Sequence, residues 1–368
     1  MAFTPCLKRG VRISHQPNLG RVLVGTRFRS VGFPGYWSEV STRRVLGLMD
    51  GSKDLAELAK QSGIDTSQLM GLIKELQKHD LVDLVRTPIS YLKRYNPELG
   101  YIEVIEDVES KTDDYAIQSF LNRIQVECDA VSFNPGDIDG GRSVVLKRRE
   151  FSIMIFGNGK LVNAVVGLLS ASGFSNVNVI NRLRARHPNL KIREVDIAGG
   201  FVTNAHIGQS RRKTILELKS RAALFDSDEA TMQKPDLIIS IGTPSPDSLQ
   251  RWSSENTPYL LVEISSSAEV RVGPLVIPGK SPCFRCVSLS ESESFGDPGS
   301  IPINQSGIEL GSVLSFAVAS AIAADVAEIC AQNKTVFLAT SFTYSMRNFH
   351  NPERITWRLQ PHCGCNWS

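Results

Sequence analysis

The sequence predicts an α/β protein in two parts: a winged-helix-like module at the N-terminus, then a doubly wound, mainly parallel sheet. Three observations point there. Short β-type runs give way to helical periods over residues 1–86. A strand, a glycine turn, a helix and a second strand follow one another from Glu150. Two closely spaced cysteine pairs lie far apart in the C-terminal third.

In the first part, Val22-Leu23-Val24, Phe28 and Val31 are broken by Gly25, Gly32 and Pro34-Gly35, a pattern that predicts a small antiparallel ribbon. From Ser38 the period becomes helical through Val40, Leu46 and Leu48-Met49, up to the Asp50-Gly51 turn. Leu55, Leu58 and Ala59 make a second short helix that Gly63 ends. Asp65-Thr66-Ser67 offers N-caps for a third, with Leu69, Leu72, Ile73 and Leu76 on one face. Leu81–Val85 reads as a returning strand.

Residues 87–149 read as a connector. They hold Pro88, Pro97, acidic residues from Glu103 to Asp114, a helical stretch over Tyr115–Gln125 and turns at Asn134–Asp137 and Asp139–Gly141. Residues 150–368 form the second domain. Phe151–Phe156 is a continuous apolar run of the buried-strand kind. Gly157-Asn158-Gly159 turns into a helix through Leu161, Val165, Val166 and Leu169, which ends near Gly173. Val177–Ile180, Asp236–Ile241 and Tyr259–Ile264 supply further strands.

The chain has 368 residues, 42% hydrophobic and 21% charged, with a net charge of +3. Such a balance gives no electrostatic footprint for nucleic acid, and the Arg211-Arg212-Lys213 run reads as a solvated face. The apolar stretch from Val313 to Ala331 is interrupted by Ser315, Ser320, Asp325 and Glu328 and reads as a buried helix, so no membrane span is expected. No secretory signal is evident, which makes the cytoplasm the expected location. Seven cysteines there are thiols or metal ligands rather than disulfides.

Cys283-Phe284-Arg285-Cys286 and Cys363-Gly364-Cys365 are two chelating pairs, and tetrahedral zinc takes four thiolates. Four protein ligands leave no open position, so the expected zinc is structural. The strand–Gly157-x-Gly159–helix unit, with Lys160 behind it, is the kind of turn that cradles phosphate at a helix N-terminus. Here Val162 stands at the third glycine position, and Asn181 stands where an acidic residue would hold a ribose. Gly157, Gly159 and Lys160 therefore read as a vestigial nucleotide loop, and ATP is not expected to bind.

Gly273–Cys286, together with Pro361-His362-Cys363-Gly364-Cys365, resembles the ThiF-type, ubiquitin-activating-enzyme-like fold. It is similar to the ThiF-like partner proteins of thiazole/oxazole-modified peptide biosynthesis. The N-terminal module resembles the PqqD-like element that binds leader peptides, on its Leu48–Ser52 turn, its Leu55–Ala59 helix and its Leu69–Leu81 helix. Active members of the ThiF-type family bind MgATP and adenylate a carboxylate. This sequence departs from their pattern at Val162, at Asn181-Arg182-Leu183-Arg184 and in Ile239–Thr243, with Asp247 a weak substitute.

The resemblance implies a homodimeric, non-catalytic partner that binds a precursor leader peptide and hands it to a YcaO-type cyclodehydratase. Arg29, Val31 and Phe33 on the ribbon edge, with Leu69, Leu72, Ile73 and Leu76 on the helix, would receive the peptide by strand addition. The alternative is an ATP-dependent enzyme that adenylates a peptide carboxylate itself. A DNA-reading regulator is the third reading, disfavoured by the charge balance.

Overall fold

The structure is a computed structural model. It describes residues 4–8, 10–16, 21–26, 30–33, 39–85, 92–96, 101–105, 125–132, 140–180, 190–197, 201–224, 234–295 and 308–365. Arg29, the Asn181–Arg184 segment and all but the last residue of the Tyr115–Gln125 stretch lie outside these. The chain divides into two units, Met1–Val145 and Leu146–Ser368.

In the first unit, strands β1 (Thr4–Leu7), β2 (Arg12–Gln16), β3 (Arg21–Gly25) and β4 (Ser30–Phe33) precede helices α1 (Glu39–Leu48), α2 (Leu55–Ser62) and α3 (Thr66–Lys78). The expected ribbon is the β3–β4 hairpin, and β2 widens it to a three-stranded antiparallel sheet of order β2-β3-β4. Strand β5 (Val82–Val85) returns as expected but pairs with β1.

Local chemistry sets the helix ends. Asp54 and Glu57 form a reciprocal capping box at α2, and Gly63 ends that helix at φ 73°. Asp65 caps α3 by accepting from the Ser67 N–H at 2.8 Å. The apolar faces then meet: Val22, Val24, Val31, Phe33, Val45, Leu58, Leu69, Leu72, Ile73, Leu76 and Leu81 share one core.

The stretch read as a connector carries more structure than expected. It holds a hairpin of β6 (Leu92–Asn96) and β7 (Tyr101–Ile105), helix α4 (125–132) and helix α5 (Arg142–Glu150). The buried Lys8 ammonium reaches both the Asp83 carboxylate, at 3.2 Å, and the Ser132 carbonyl.

The second unit is built on a seven-stranded sheet of order β14-β13-β12-β11-β10-β8-β9. Its strands are β8 (Ile153–Phe156), β9 (Val177–Ile180), β10 (Leu237–Ile241), β11 (Tyr259–Ser266), β12 (Glu269–Val276), β13 (Thr340–Ser345) and β14 (Glu353–Thr356). The pairs among β9, β8, β10 and β11 are parallel, and those from β11 to β14 are antiparallel, so five of the seven strands run one way. The antiparallel half did not show in the sequence pattern.

Strand alternation divides the sheet's core in two. Ile153, Ile155, Leu237, Ile239, Leu260 and Val262 face helices α6 (Lys160–Ala171) and α10 (Ser312–Gln332). Phe156, Ile238, Tyr259, Leu261 and Val276 form a second cluster with Trp252 of α8 (Pro246–Ser254) and Phe284 of α9 (Phe284–Phe295). A further helix, α7 (Arg211–Ala222), completes the unit.

With 21 residues and a mean hydropathy of 1.8, α10 is long and apolar enough to cross a membrane. Its Leu314, Val318, Ile322 and Val326 are nonetheless buried in the sheet core. Asp325 on the same helix accepts from the Thr335 hydroxyl at 2.7 Å and the Val336 N–H at 2.9 Å. A buried apolar stripe and a polar tether to the following loop suit a core helix.

Leu69 has no exposure. Leu69→Ala is therefore expected to destabilise the first unit by about 2–5 kcal/mol, read by chemical denaturation with a probe in that unit.

Candidate functional site

The four cysteines meet. Cys283 precedes α9 and Cys286 lies in its first turn, and the Cys363-Gly364-Cys365 loop comes to them with Gly364 at φ 76°. The Sγ atoms of Cys283 and Cys363 are 3.2 Å apart, those of Cys286 and Cys365 3.5 Å, and all four lie within 4.8 Å of one another. A tetrahedral ion with bonds of about 2.3 Å would hold its sulfurs about 3.8 Å apart, so the set is compatible with zinc.

The support around it is also in place. The Gln360 N–H points at the Cys286 sulfur from 3.5 Å, and the Gln360 side chain donates to Ser290 of α9 at 2.9 Å. Burial raises the Cys283 thiol, and burial with its sulfur neighbours raises Cys365 to about 11. Cys286 moves the other way: burial would raise its thiol, but the Gln360 N–H and the neighbouring sulfurs outweigh it and lower it, so an ion would displace protons chiefly from Cys283 and Cys365. His362 is exposed beside the cluster. Among the described residues this is the one group of three or more potential ligands that could hold a metal.

Cys363→Ser should lower bound metal from about one ion per chain to near none, and drop the unfolding temperature by about 5 °C or more. Metal analysis and a thermal melt read the two effects.

The glycine turn lies at the other feature of interest. Strand β8 has β9 on one side and β10 on the other, so the carboxyl ends of β8 and β10 flank the topological switch point, where open α/β sheets bind ligands. Gly157 follows β8 there; a Cβ on it would lie 3.0 Å from Ile241 and 3.2 Å from Val162. Gly159, at φ 94°, is the N-cap of α6 and contributes no side-chain cap. Val162, at the third glycine position, is buried in the sheet core. Asp247 is exposed in the first turn of α8.

The α6 N-terminus nevertheless has an anion. The Lys160 N–H donates to Glu309 Oε2 at 3.0 Å, and a Cβ on Gly159 would fall within 2.8 Å of the same carboxyl carbon. The Lys160 ammonium turns outward to the Ser312 hydroxyl at 3.2 Å. Glu309 Oε1 lies 3.3 Å from Arg193 Nη2, which also reaches Asp196 Oδ1 at 3.2 Å. Arg211 closes the chain of charges onto Asp196 Oδ2.

Burial raises the Glu309 carboxyl above its ordinary range. Burial acts the same way on Asp196, but hydrogen bonds and charge from Arg193, with Arg211, outweigh it and hold Asp196 low. Arg211 is thus buried in an ion pair, which corrects the expectation of a solvated basic face; Arg212 and Lys213 are the exposed members. None of Arg193, Asp196, Arg211 and Glu309 stood out in the sequence as a site residue.

The residues expected to receive a peptide sit in the first unit. Val31 and Phe33 are on β4, the last strand of its sheet, with Ser30 and Gly32 alternating outward. The side chains of Val31, Phe33, Leu69, Leu72, Ile73 and Leu76 all belong to the unit's own core, and Arg29 lies outside the described residues.

A glycine turn at the switch point of a mixed sheet, with a four-cysteine cluster on the second face, is consistent with an α/β fold of the ThiF type. Solved structures match the chain along its length. They include E. coli MccB with ATP (TM-score 0.61, 14% identity, 98% of this chain and 99% of that one). The microcin C7 biosynthetic enzyme MccB in complex with N-formylated MccA matches similarly (0.61, 12%, 98% and 99%). PaaA is a third (0.61, 15%, 96% and 100%). Identities this low establish the fold alone. No protein-family model matches the sequence, and no curated protein matches it.

Asp196 contributes stability that is full above the ordinary carboxylate range, near pH 4, and is lost as pH falls through its lowered folded value. Asp196→Asn is expected to cost about 3 kcal/mol at neutral pH, with the gap to the parent protein shrinking in acid. Denaturant titrations at pH 7 and pH 3 read both.

Proposed function

We propose that the chain is a peptide-binding partner protein. It would take the leader of a ribosomally made precursor and deliver it to a YcaO-type cyclodehydratase for thiazoline and oxazoline formation. The observation that carries the reading is the length-wide likeness to MccB, which has been solved in complex with the peptide MccA. The sheet edge at β4 supports the mode of binding. A peptide added there would bond to backbone, with Arg29, Val31 and Phe33 supplying the strand. Leu69, Leu72, Ile73 and Leu76 would form the packed floor beneath it.

Zinc is the proposed ion for the four cysteines, in a structural role, since four thiolates complete its shell. A homodimer in the cytoplasm, without nucleic acid or membrane, completes the reading. Holding the precursor beside the cyclodehydratase would raise its effective concentration there.

Adenylation by this chain is the second reading, favoured by the likeness to MccB solved with ATP. The Glu309 carboxylate at the α6 N-terminus speaks against it, because a triphosphate would meet a like charge there.

The test pairs the full chain with precursor candidates encoded beside its gene, using calorimetry for binding and mass spectrometry for water lost per ring. Binding, and ring formation by the cyclodehydratase that depends on this chain, is the expected result. Gly32→Pro, which removes a backbone donor from the edge strand, should weaken peptide binding about tenfold or more while leaving the melt of the second unit unchanged. Ring formation at the same rate without this chain would end the partner reading.

A further inference from the structure

Three features converge on one place in the second unit. The first is topological: the carboxyl ends of β8 and β10 flank the switch point, and α6 starts there. The second is electrostatic: the first turn of a 12-residue helix presents N–H groups that have no partner within the helix, and the positive end of its dipole. The third is steric: Gly159 lacks a Cβ at the point where one would collide with an incoming group. In a phosphate-binding turn that space belongs to a ligand's phosphate. Here it belongs to Glu309.

We propose that Glu309 is a built-in anion that occupies the phosphate seat of the Gly157–Gly159 turn, so that this chain closes its own ThiF-type crevice to linear polyphosphates, nucleoside triphosphates included. The contacts are those a phosphate oxygen would make. One carboxylate oxygen accepts the Lys160 N–H at 3.0 Å, and the other faces the Arg193 guanidinium at 3.3 Å. Gly159 leaves the carboxyl room to lie against the turn.

Placement by the fold makes this a strong competitor. Glu309 belongs to the short segment leading into α10, whose Leu314 and Val318 are anchored in the sheet core. A tethered group of this kind competes at an effective concentration of about millimolar or higher. A polyphosphate must therefore displace a carboxylate that is already paired, and must approach it as a like charge. Among the described residues the charges are already paired: Arg193 is shared between Glu309 and Asp196, and Arg211 is committed to Asp196. The Lys160 ammonium, beside the turn, donates to the Ser312 hydroxyl rather than to a carboxylate.

The proposal is independent of whether the first unit takes a peptide, and its test uses no peptide. Sodium tripolyphosphate and MgATP are titrated calorimetrically into the metal-loaded full chain, its Glu309→Ala variant and its Glu309→Gln variant. The parent protein should give no saturable binding at low millimolar ligand. Glu309→Ala should bind tripolyphosphate about tenfold or more tighter than the parent, with affinity falling as salt rises. Glu309→Gln keeps the volume of the side chain and folds even where the alanine variant leaves the helix end bare; it should show a smaller gain in the same direction. Tight binding by the parent, or a folded Glu309→Gln variant that binds no better than the parent, overturns the proposal.

Discussion

The second unit is organised around one electrostatic requirement, the satisfaction of the α6 N-terminus. A helix that starts at the centre of a parallel sheet points its unpaired N–H groups into the crevice between the β8 and β10 ends. Phosphate-binding turns meet that need with a ligand. This chain meets it with Glu309, and the rest of the local charge follows from that choice. Arg193 is drawn to the carboxylate, Asp196 turns inward to hold Arg193, and Arg211 is buried to hold Asp196. The result, among the described residues, is an alternating row of charges from Glu309 to Arg211.

The opposite face of the sheet depends on a different constraint. Strand alternation leaves Phe156, Ile238, Tyr259, Leu261 and Val276 to be covered by α8 and α9. The four cysteines bring the start of α9 beside the Cys363–Cys365 loop, some 80 residues on. One face thus carries long helices packed on aliphatic side chains, and the other carries a four-sulfur cluster that could hold a metal ion. An ion bound by all four would have no open coordination position.

What was legible in the sequence was what local spacing encodes. The cysteine pairs declare themselves by chelating distance, and the need for four ligands joins them across the intervening chain. Leu55, Leu58 and Ala59 mark α2 by their spacing and Gly63 ends it through left-handed backbone geometry, and the apolar runs mark β8 to β11. Glu309 was invisible because its partner, Lys160, is 149 positions away and no periodicity links them. Strands β13 and β14 were missed because TSFTYS and ERIT carry little apolar pattern. The residues expected to receive a peptide show a further ambiguity. An apolar face on α3 has the same sequence whether it waits for a ligand or fills a core, and in this unit Leu69, Leu72, Ile73 and Leu76 fill the core.

The decisive experiment is isotope exchange between pyrophosphate and ATP, run on the metal-loaded full chain with a precursor peptide that it binds. A chain that leaves nucleotide chemistry to a partner gives no exchange above the rate in buffer, with peptide binding intact. Peptide-dependent exchange would place the activation step in this chain and end the partner reading.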